Sequence, residues 1–234
     1  MHAGSQLEQS LVLFRGLGDL WYIAQVVIDL GLVALYYEDY GAAHAWYEEG
    51  LALARALKDR SLIATALNNL GEVARCRDDD ERAAVLYAES LQLHQELGNK
   101  PEIPRLLHNL GYVALHRGDI PQASAHFRIS LSRFEQLGMA RGIAENLAGF
   151  AAVAAVSGRA AEAARLWGAA EALHETLGTP IWPTDRREHA RYQALARAEL
   201  DTASWQAAWQ AGRANPLAQQ AALNETTLNR QTPA

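Results

Sequence analysis

Eight histidines, one cysteine and several serines are the side chains of this sequence that could carry acid–base, nucleophilic or metal chemistry. Cys76, Ser157 and Ser204 have no base and orienting residue near them in the sequence that would activate a nucleophile. His108 and His116 are eight residues apart on one helical pattern, too far for one metal, and structural zinc usually takes four ligands. We therefore predict a protein without enzymatic activity, metal or cofactor.

Charged side chains offer a second kind of chemistry, the pairing of opposite charges. The run Asp78–Glu81 lacks the spaced ligands and the glycine of a calcium loop, so capping of a helix explains it better. Arg75 and Arg105 carry planar guanidinium groups, which suit bidentate pairing with a carboxylate of a ligand. The alternative is an ion pair with Glu72 or a neighbouring acid. The sequence leaves both open, with the internal pair favoured for either arginine taken alone.

The chain that must position these side chains repeats its plan every 40 residues. Leucine recurs without a gap at Leu17, Leu57, Leu97, Leu137 and Leu177. Two further positions recur in four copies, one as Ala43, Ala83, Ala123 and Ala163, the other as Tyr47, Tyr87, Phe127 and Trp167. Self-similarity at a fixed period of this size is typical of a solenoid.

Each copy predicts a pair of helices. The first, as in Ile103–His116, has apolar residues at helical spacing and ends before Gly118, where glycine readily takes a left-handed conformation. Asp119 then suits the N-cap of the second helix, because a carboxylate accepts from the free amides of the next turn. Glycine also recurs inside the first helices, where it costs about 1 kcal/mol against alanine. Close helix approach explains that cost, since Gly31, Gly71 and Gly111 would face Tyr47, Tyr87 and Phe127.

This combination resembles the tetratricopeptide repeat. The family pattern has a small residue at those glycines, alanine twelve residues later, an aromatic residue four further on and then another small residue, here Gly50, Ser90, Ser130 and Ala170. The resemblance covers roughly Leu7 to Leu177, with longer repeats than the usual ~34 residues. In length they resemble the repeats of kinesin light chain. The resemblance implies an all-α fold, a right-handed solenoid of antiparallel helix pairs.

In this family the first helices line the inner, concave surface, so the resemblance implies that ligand-contacting side chains stand there. Carried over position by position, they are Gln25, Asp29, Thr65, Asn68, Asn69, Glu72, Arg75, Arg105, His108, Asn109 and Tyr112.

Asn69 and Asn109 match the family's asparagine positions, which in related arrays bond the backbone of an extended peptide. An amide offers both donors and an acceptor, so it can pair with a peptide group. We expect these amides to be paired mainly with water in the free protein. The alternative is that each asparagine bonds a neighbouring helix.

The period divides the chain into four parts. Residues 1–18 are predicted to form a leader and an orphan second helix, Leu7–Gly18, whose missing partner helix suggests a fragment of a larger array. Residues 19–178 would form four helix pairs, residues 179–224 capping helices and residues 225–234 a disordered tail. The orphan helix would leave Leu11, Leu13 and Phe14 bare, and exposed apolar patches of this kind favour self-association.

The capping region breaks the period at Gly178–Thr184, which contains two prolines. Thr184 or Asp185 is expected to cap a helix over Arg186–Leu200, and a further helix is expected over Thr202–Arg213. The tryptophans of this region, Trp182, Trp205 and Trp209, are expected to pack onto the last repeat, because they bury a large apolar area.

The tail also resembles a known family. The run RLWGAAEALHETLGTPIWPTDRREH, followed by SWQAAWQAGR and a short apolar helix, is similar to the end of the helical sensor arm of large bacterial ATP-dependent transcription regulators. This resemblance covers Arg165–Leu223 and implies a sensor or interaction arm in signal transduction. The GxxxxGK[ST] loop of an ATPase module is absent from the sequence.

Composition limits the kinds of partner and the cellular compartment that we expect for this protein. A net charge of −6 argues against direct nucleic-acid binding, which needs clustered lysine and arginine. A single cysteine and the lack of a signal peptide or a long apolar run favour the reducing cytoplasm and no membrane contact. We predict a non-catalytic scaffold that binds a protein or peptide. Self-association into a homo-oligomer through exposed solenoid ends, or binding of a small-molecule effector, remain alternatives.

Overall fold

The structure is a computed structural model that describes residues 2–220 and 223, with side chains from residue 4 onward. Within these residues the chain forms eleven long helices, no strand, and a further helical stretch at 216–220. The helices are α1 His2–Leu17, α2 Leu20–Tyr36, α3 Tyr40–Leu57, α4 Arg60–Cys76, α5 Asp80–Glu96, α6 Glu102–His116, α7 Ile120–Gln136, α8 Ala140–Val156, α9 Ala160–Leu177, α10 Pro183–Arg197 and α11 Thr202–Ala214. The predicted all-α class and the 40-residue repeat of helix pairs are confirmed.

The helices divide into two compact units, Met1–Arg117 with α1 to α6 and Gly118–Ala234 with α7 to α11. In the first unit each helix packs against the next one, α2 also contacts α4, and α4 contacts α6. The first helices of three successive repeats therefore stand side by side. In the second unit α8 packs between α7 and α9, while α10 covers α8 and α9, and α11 packs on α9.

The turns follow a rule of 20 residues, half of the sequence period. A residue with left-handed backbone occurs at 18, 38, 58, 78, 98, 118, 138, 158 and 178. Gly118 has φ +75° as predicted, and the Asp119 carboxylate accepts from the Gln122 amide at 2.9 Å, which confirms the N-cap. At three of the turns Glu38, Lys58 and Asp78 take the conformation that glycine takes elsewhere.

Close approach between glycine and tyrosine joins the helices of a pair, as predicted for the first two repeats. A Cβ atom on Gly31 would lie 2.6 Å from Cδ1 of Tyr47, and one on Gly71 would lie 2.7 Å from Cε1 of Tyr87. Both tyrosines are fully buried. No larger side chain fits at these two glycines without displacing the ring.

The first helix differs from its prediction. Helix α1 begins at His2, so residues expected to form a leader are helical. Leu11 is buried against α2 and Phe14 stacks on Tyr22 with centroids 4.7 Å apart, whereas Leu13 stays 68% exposed. The expectation that all three side chains are bare is therefore wrong for Leu11 and Phe14, because α2 covers them.

The capping helix α10 also begins earlier than predicted. Its N-cap is Trp182, which makes no side-chain cap bond, and Pro183 occupies the first turn, where its missing amide leaves no helical bond unmade. Thr184 and Asp185, expected as caps, are instead buried in that turn. Their side chains face the protein core and do not cap the helix.

The tryptophans of the tail pack as predicted in the case of Trp205, which is buried with its ring 6.1 Å from that of Trp167. Trp182 and Trp209 are half-buried beneath the guanidinium groups of Arg141 and Arg213. The segment 225–234, predicted to be disordered, lies outside the described residues.

Candidate functional site

The first-helix face, formed by α2, α4 and α6 of the first unit, carries all eleven candidate side chains. Six are at least partly exposed: Gln25, Asp29, Thr65, Asn69, Glu72 and Arg105. Five are buried: Asn68, Arg75, His108, Asn109 and Tyr112. A ligand on this face would therefore meet the first group directly, and the second group supports it from beneath.

An amide network links α4 and α6 at the centre of the face. Nδ2 of Asn109 donates to Oδ1 of Asn68 at 3.3 Å. Nδ2 of Asn68 donates to Oδ1 of Asn69 at 3.0 Å and to the Glu72 carboxylate at 3.4 Å. The expectation of pairing mainly with water is wrong for Asn109, which is buried and bonds another side chain, whereas for Asn69 it stays a prediction. Asn109 follows the stated alternative, a bond to a neighbouring helix.

The two arginines of the face are held differently. Arg105 forms an ion pair with Glu102 of its own helix at 3.1 Å, so the alternative of an internal pair holds for it. Arg75 is buried, and its guanidinium lies 5.2 Å from the ring centroid of Tyr112, within cation–π range. The ring of His108 meets Tyr112 edge-on at 5.1 Å. The Tyr112 ring therefore contacts both the Arg75 guanidinium and the His108 imidazole.

The α2 end of the face is acidic. Asp29 is exposed and forms no ion pair or side-chain hydrogen bond within the described structure. The hydroxyl of fully buried Tyr47 has no hydrogen-bond partner among the described residues. Burial raises the pKa of Tyr47, and the negative charges of Glu72 and Asp29 raise it further. The hydroxyl therefore lies within the field of both carboxylates.

A second polar cluster is buried in the second unit, where α10 covers α8 and α9. It consists of His174 from α9 and Asp185, Glu188 and His189 from α10. Burial lowers the pKa of His189 to about 4, His174 lowers it too, and the Asp185 and Glu188 carboxylates oppose the shift. Nδ1 of His174 is 3.1 Å from Oγ1 of Thr179. Burial also lowers the pKa of His174, so both histidines are mainly neutral around pH 7.

A shallow cavity of about 500 Å³ opens beside this cluster at the end of α9. Its walls include Glu171, His174, Thr179, Pro180 and Ile181. Arg213 of α11 forms an ion pair with Glu175 at 2.5 Å on the same rim. The cavity joins apolar walls to a few polar groups, a common composition for a small-ligand site.

Two features of these sites were not predicted from the sequence. Tyr47 was expected only to pack against Gly31, although a tyrosine at a buried aromatic position carries a hydroxyl that needs a partner. Asp185 and His189 stand four residues apart, a spacing that places both on one helix face, and this could have indicated the buried cluster. The proline-rich break in the period hid the start of that helix.

In the part of the chain that the structure describes, no three histidine, cysteine, aspartate or glutamate side chains are grouped as metal ligands. None of the described helices is long and apolar enough to cross a membrane.

Comparison with known proteins gives a family for part of the chain. Residues 62–136 match the family model of the tetratricopeptide repeat. A crystal structure of BtubC (BKLC) from P. vanneervenii matches with a TM-score of 0.64, over 94% of this chain and 91% of that one. The identity is 17%, so this likeness shows the shared fold alone. No curated protein matches the chain. Residues 62–136 are therefore similar to tetratricopeptide repeats, and the chain shares its fold with the solved structure.

Proposed function

We propose that the first unit binds an extended segment of a partner protein on its first-helix face. Tetratricopeptide repeats generally mediate contacts between proteins, and the family match includes most of α4 and all of α5, α6 and α7. The observation that carries the proposal is the state of Asn69. Its Oδ1 is held by Asn68, whereas its Nδ2 has no partner in the described structure and the side chain is partly exposed.

The network orients this amide before any ligand arrives. Because Asn68 fixes the oxygen of Asn69, the two Nδ2 protons point away from that bond and can donate to a backbone carbonyl. Asn109 in turn holds Asn68 in place from the neighbouring helix. A donor that is already oriented loses little side-chain entropy on binding, which favours affinity.

Replacing Asn69 with alanine should weaken peptide binding about three- to tenfold, because a typical hydrogen bond is worth about 0.5–1.5 kcal/mol. The probe is a peptide selected against the protein from a random library displayed on phage, with affinity measured by titration calorimetry. The melting temperature should change little, since Asn69 is only half-buried.

Asn109→Ala serves as the comparison, because it removes a buried partner of Asn68 and should lower the melting temperature instead. If Asn69→Ala leaves the affinity unchanged and lowers the melting temperature, the amides are structural ties between helices and the proposal is wrong.

We further propose that this binding serves the sensor or interaction arm of a bacterial regulator in the cytoplasm. The resemblance of Arg165–Leu223 to the ends of such arms supports the regulator role. The chain has a single cysteine, Cys76, which is buried, and this fits a reducing compartment. Co-purification of the full gene product with an ATPase module would support the assignment. Absence of a gene for such a module from the chromosomal neighbourhood would count against it.

Self-association is a second candidate, favoured by exposed apolar side chains on α1. Val12, Leu13 and Leu17 are 71%, 68% and 76% exposed on one helix. Exposed apolar patches of this kind mark protein contacts in soluble folds. If copies pair through α1, light scattering should show a mass that rises with concentration, and Leu13→Asp should abolish the rise. A monomer at all concentrations would rule this candidate out.

Binding of a small-molecule effector remains a third candidate, favoured by the cavity beside α9. Thermal shifts with a metabolite library would identify such a ligand. Glu171→Gln should abolish the shift of a ligand held in the cavity, and a shift that survives this change would place the ligand elsewhere.

A further inference from the structure

A cluster of exposed apolar side chains surrounds the turn between α1 and α2, and we call it the α1–α2 patch. It consists of Val12, Leu13 and Leu17 of α1 and Leu20, Trp21 and Tyr22 of α2, each at least 40% exposed. Together they expose roughly 700 Å², more than the ~300–600 Å² of the largest apolar patch on a typical monomer. A patch of this size marks a site of contact with another protein surface.

The repeat does not require apolar residues in the α2 part of the patch. Leu20 and Trp21 are the first two residues of α2. The first two residues of α4 are Arg60 and Ser61, which are exposed but polar. Because the equivalent positions accept polar side chains, the fold alone does not explain why Leu20 and Trp21 are apolar.

The α1 part of the patch occupies a position that is better covered in later repeats. Leu53 and Leu93, 40 and 80 residues after Leu13, are partly buried against core side chains. Leu13 itself is 68% exposed. A helix packed on α1 would therefore give Leu13 the kind of contact that its equivalents have.

The aromatic side chains of the patch are held in place before any contact forms. The Tyr22 ring stacks on Phe14 with centroids 4.7 Å apart, and Trp21 meets Tyr22 edge-on at 5.0 Å. Nε1 of Trp21 donates to the Asp59 carboxylate at 3.0 Å. Aromatic side chains that are already oriented lose little entropy on binding, which favours association through them.

We propose that the α1–α2 patch packs against the same patch of a second copy, as a two-fold pair that competes with peptide binding. The inference rests on the proposed function and extends the self-association candidate from α1 to α2. Two such patches would bury about 1,400 Å² in total, within the ~1,200–2,000 Å² of specific interfaces. In a two-fold pair both copies use the same surface, so the two apolar areas match in size.

The charges at the patch also suit a second copy. None of its six side chains is charged, and Arg15 of the same helix forms an ion pair with Glu49 at 2.6 Å. A patch with a charge of one sign would repel an identical patch, since like charges that face each other across an interface are unfavourable. The α1–α2 patch avoids this repulsion.

Tyr22 connects the patch to the first-helix face. Gln25 and Asp29, two of the candidate side chains on that face, follow Tyr22 by three and seven residues on α2. Residues at this spacing lie on one face of a helix. A second copy packed on Tyr22 would therefore obstruct the α2 part of the first-helix face, so pairing and peptide binding should exclude each other.

Sedimentation equilibrium from micromolar to near-millimolar concentration tests the pairing, and we expect the mass to rise from monomer to dimer. Leu20→Arg introduces the residue type that α4 has at the equivalent position, so the melting temperature should change little. It should weaken pairing at least about tenfold, because the interface would bury an unpaired charge. Val85→Arg, at an exposed valine of α5 outside the patch, is the matched control and should leave the mass unchanged.

A monomer at every concentration, or pairing that Leu20→Arg leaves unchanged, would overturn the inference. In the second case, loss of pairing in Leu13→Asp would show that copies associate through α1 alone.

Competition is tested by adding a selected peptide that depends on Asn69 to the dimer. At saturation the mass should return to that of the monomer, whereas a dimer that keeps its mass would overturn the competition. If no peptide depends on Asn69, the proposed peptide function fails, and the sedimentation of wild type and Leu20→Arg still decides whether the patch pairs two copies.

Discussion

Replacing Gly212 with alanine is expected to destabilise the second unit by about 3 kcal/mol, at the upper end of the usual effect of overpacking. Gly212 of α11 lies against the backbone of α9. A Cβ atom there would overlap the carbonyl oxygen of Arg165 and lie 2.7 Å from its carbonyl carbon. Gly168 makes the reciprocal contact, with a Cβ 3.0 Å from the carbonyl carbon of Trp209. Because backbone atoms meet on both sides, no rotamer change can relieve the clash.

The measurement is a denaturant titration followed by tryptophan fluorescence, since Trp205 is buried on α11. Gly16→Ala in α1 is the matched control, because a Cβ there meets nothing within 4 Å. Its effect should be neutral or a gain of up to about 1 kcal/mol from helix propensity. Equal effects of the two changes would show that α11 does not pack against α9 as closely as described.

Acid is expected to destabilise the second unit through His189. An unfolded histidine has its pKa near 6.5, whereas burial lowers the pKa of His189 to about 4 in the folded state. Between these values the unfolded chain binds more protons, so stability falls as pH decreases from about 6.5 to 4. One pKa unit corresponds to about 1.4 kcal/mol, which gives a loss of about 3 kcal/mol from this group.

Denaturant titrations between pH 4 and pH 7 test this expectation when wild type is compared with His189→Gln. The variant should have a flatter profile over this interval, by about the loss assigned to His189. His126→Gln is the control for a half-buried histidine, whose pKa is also lowered by burial. Parallel profiles for wild type and His189→Gln would contradict the assignment to His189.

The parts of the fold that depend on local signals could be predicted from the sequence. These parts are the recurring leucines, the glycine–tyrosine contacts and the Asp119 cap. Each depends only on residues that are close in the chain or one repeat away. The first turn of α10 could not be predicted in the same way. Thr184 and Asp185 have the chemistry of caps, but tertiary packing buries them, and Pro183 begins the helix before them. Tertiary packing therefore outweighed the local preference of Thr184 and Asp185 for a capping position.

The candidate face could be placed from the sequence, but its internal bonding could not. Position within the repeat puts Asn69 and Asn109 on equivalent turns, and the structure places both helices side by side. The hydrogen bonds between these amides depend on rotamers and on distances between helices. The sequence therefore did not predict that Asn68 connects Asn69 to Asn109. The partnerless hydroxyl of Tyr47 escaped for the same reason, since the sequence shows a tyrosine but not what surrounds its oxygen.

Site-specific photo-crosslinking tests the assigned binding face most directly. A benzoylphenylalanine placed at Thr65, a half-buried position on α4, should crosslink to the selected peptide. The same residue placed at Ala88, an exposed position on α5 outside the first-helix face, should not. Unlabelled peptide should compete for the Thr65 crosslink, and Asn69→Ala should reduce its yield. Crosslinking from Ala88 and not from Thr65 would show that the first-helix face is not where the partner binds.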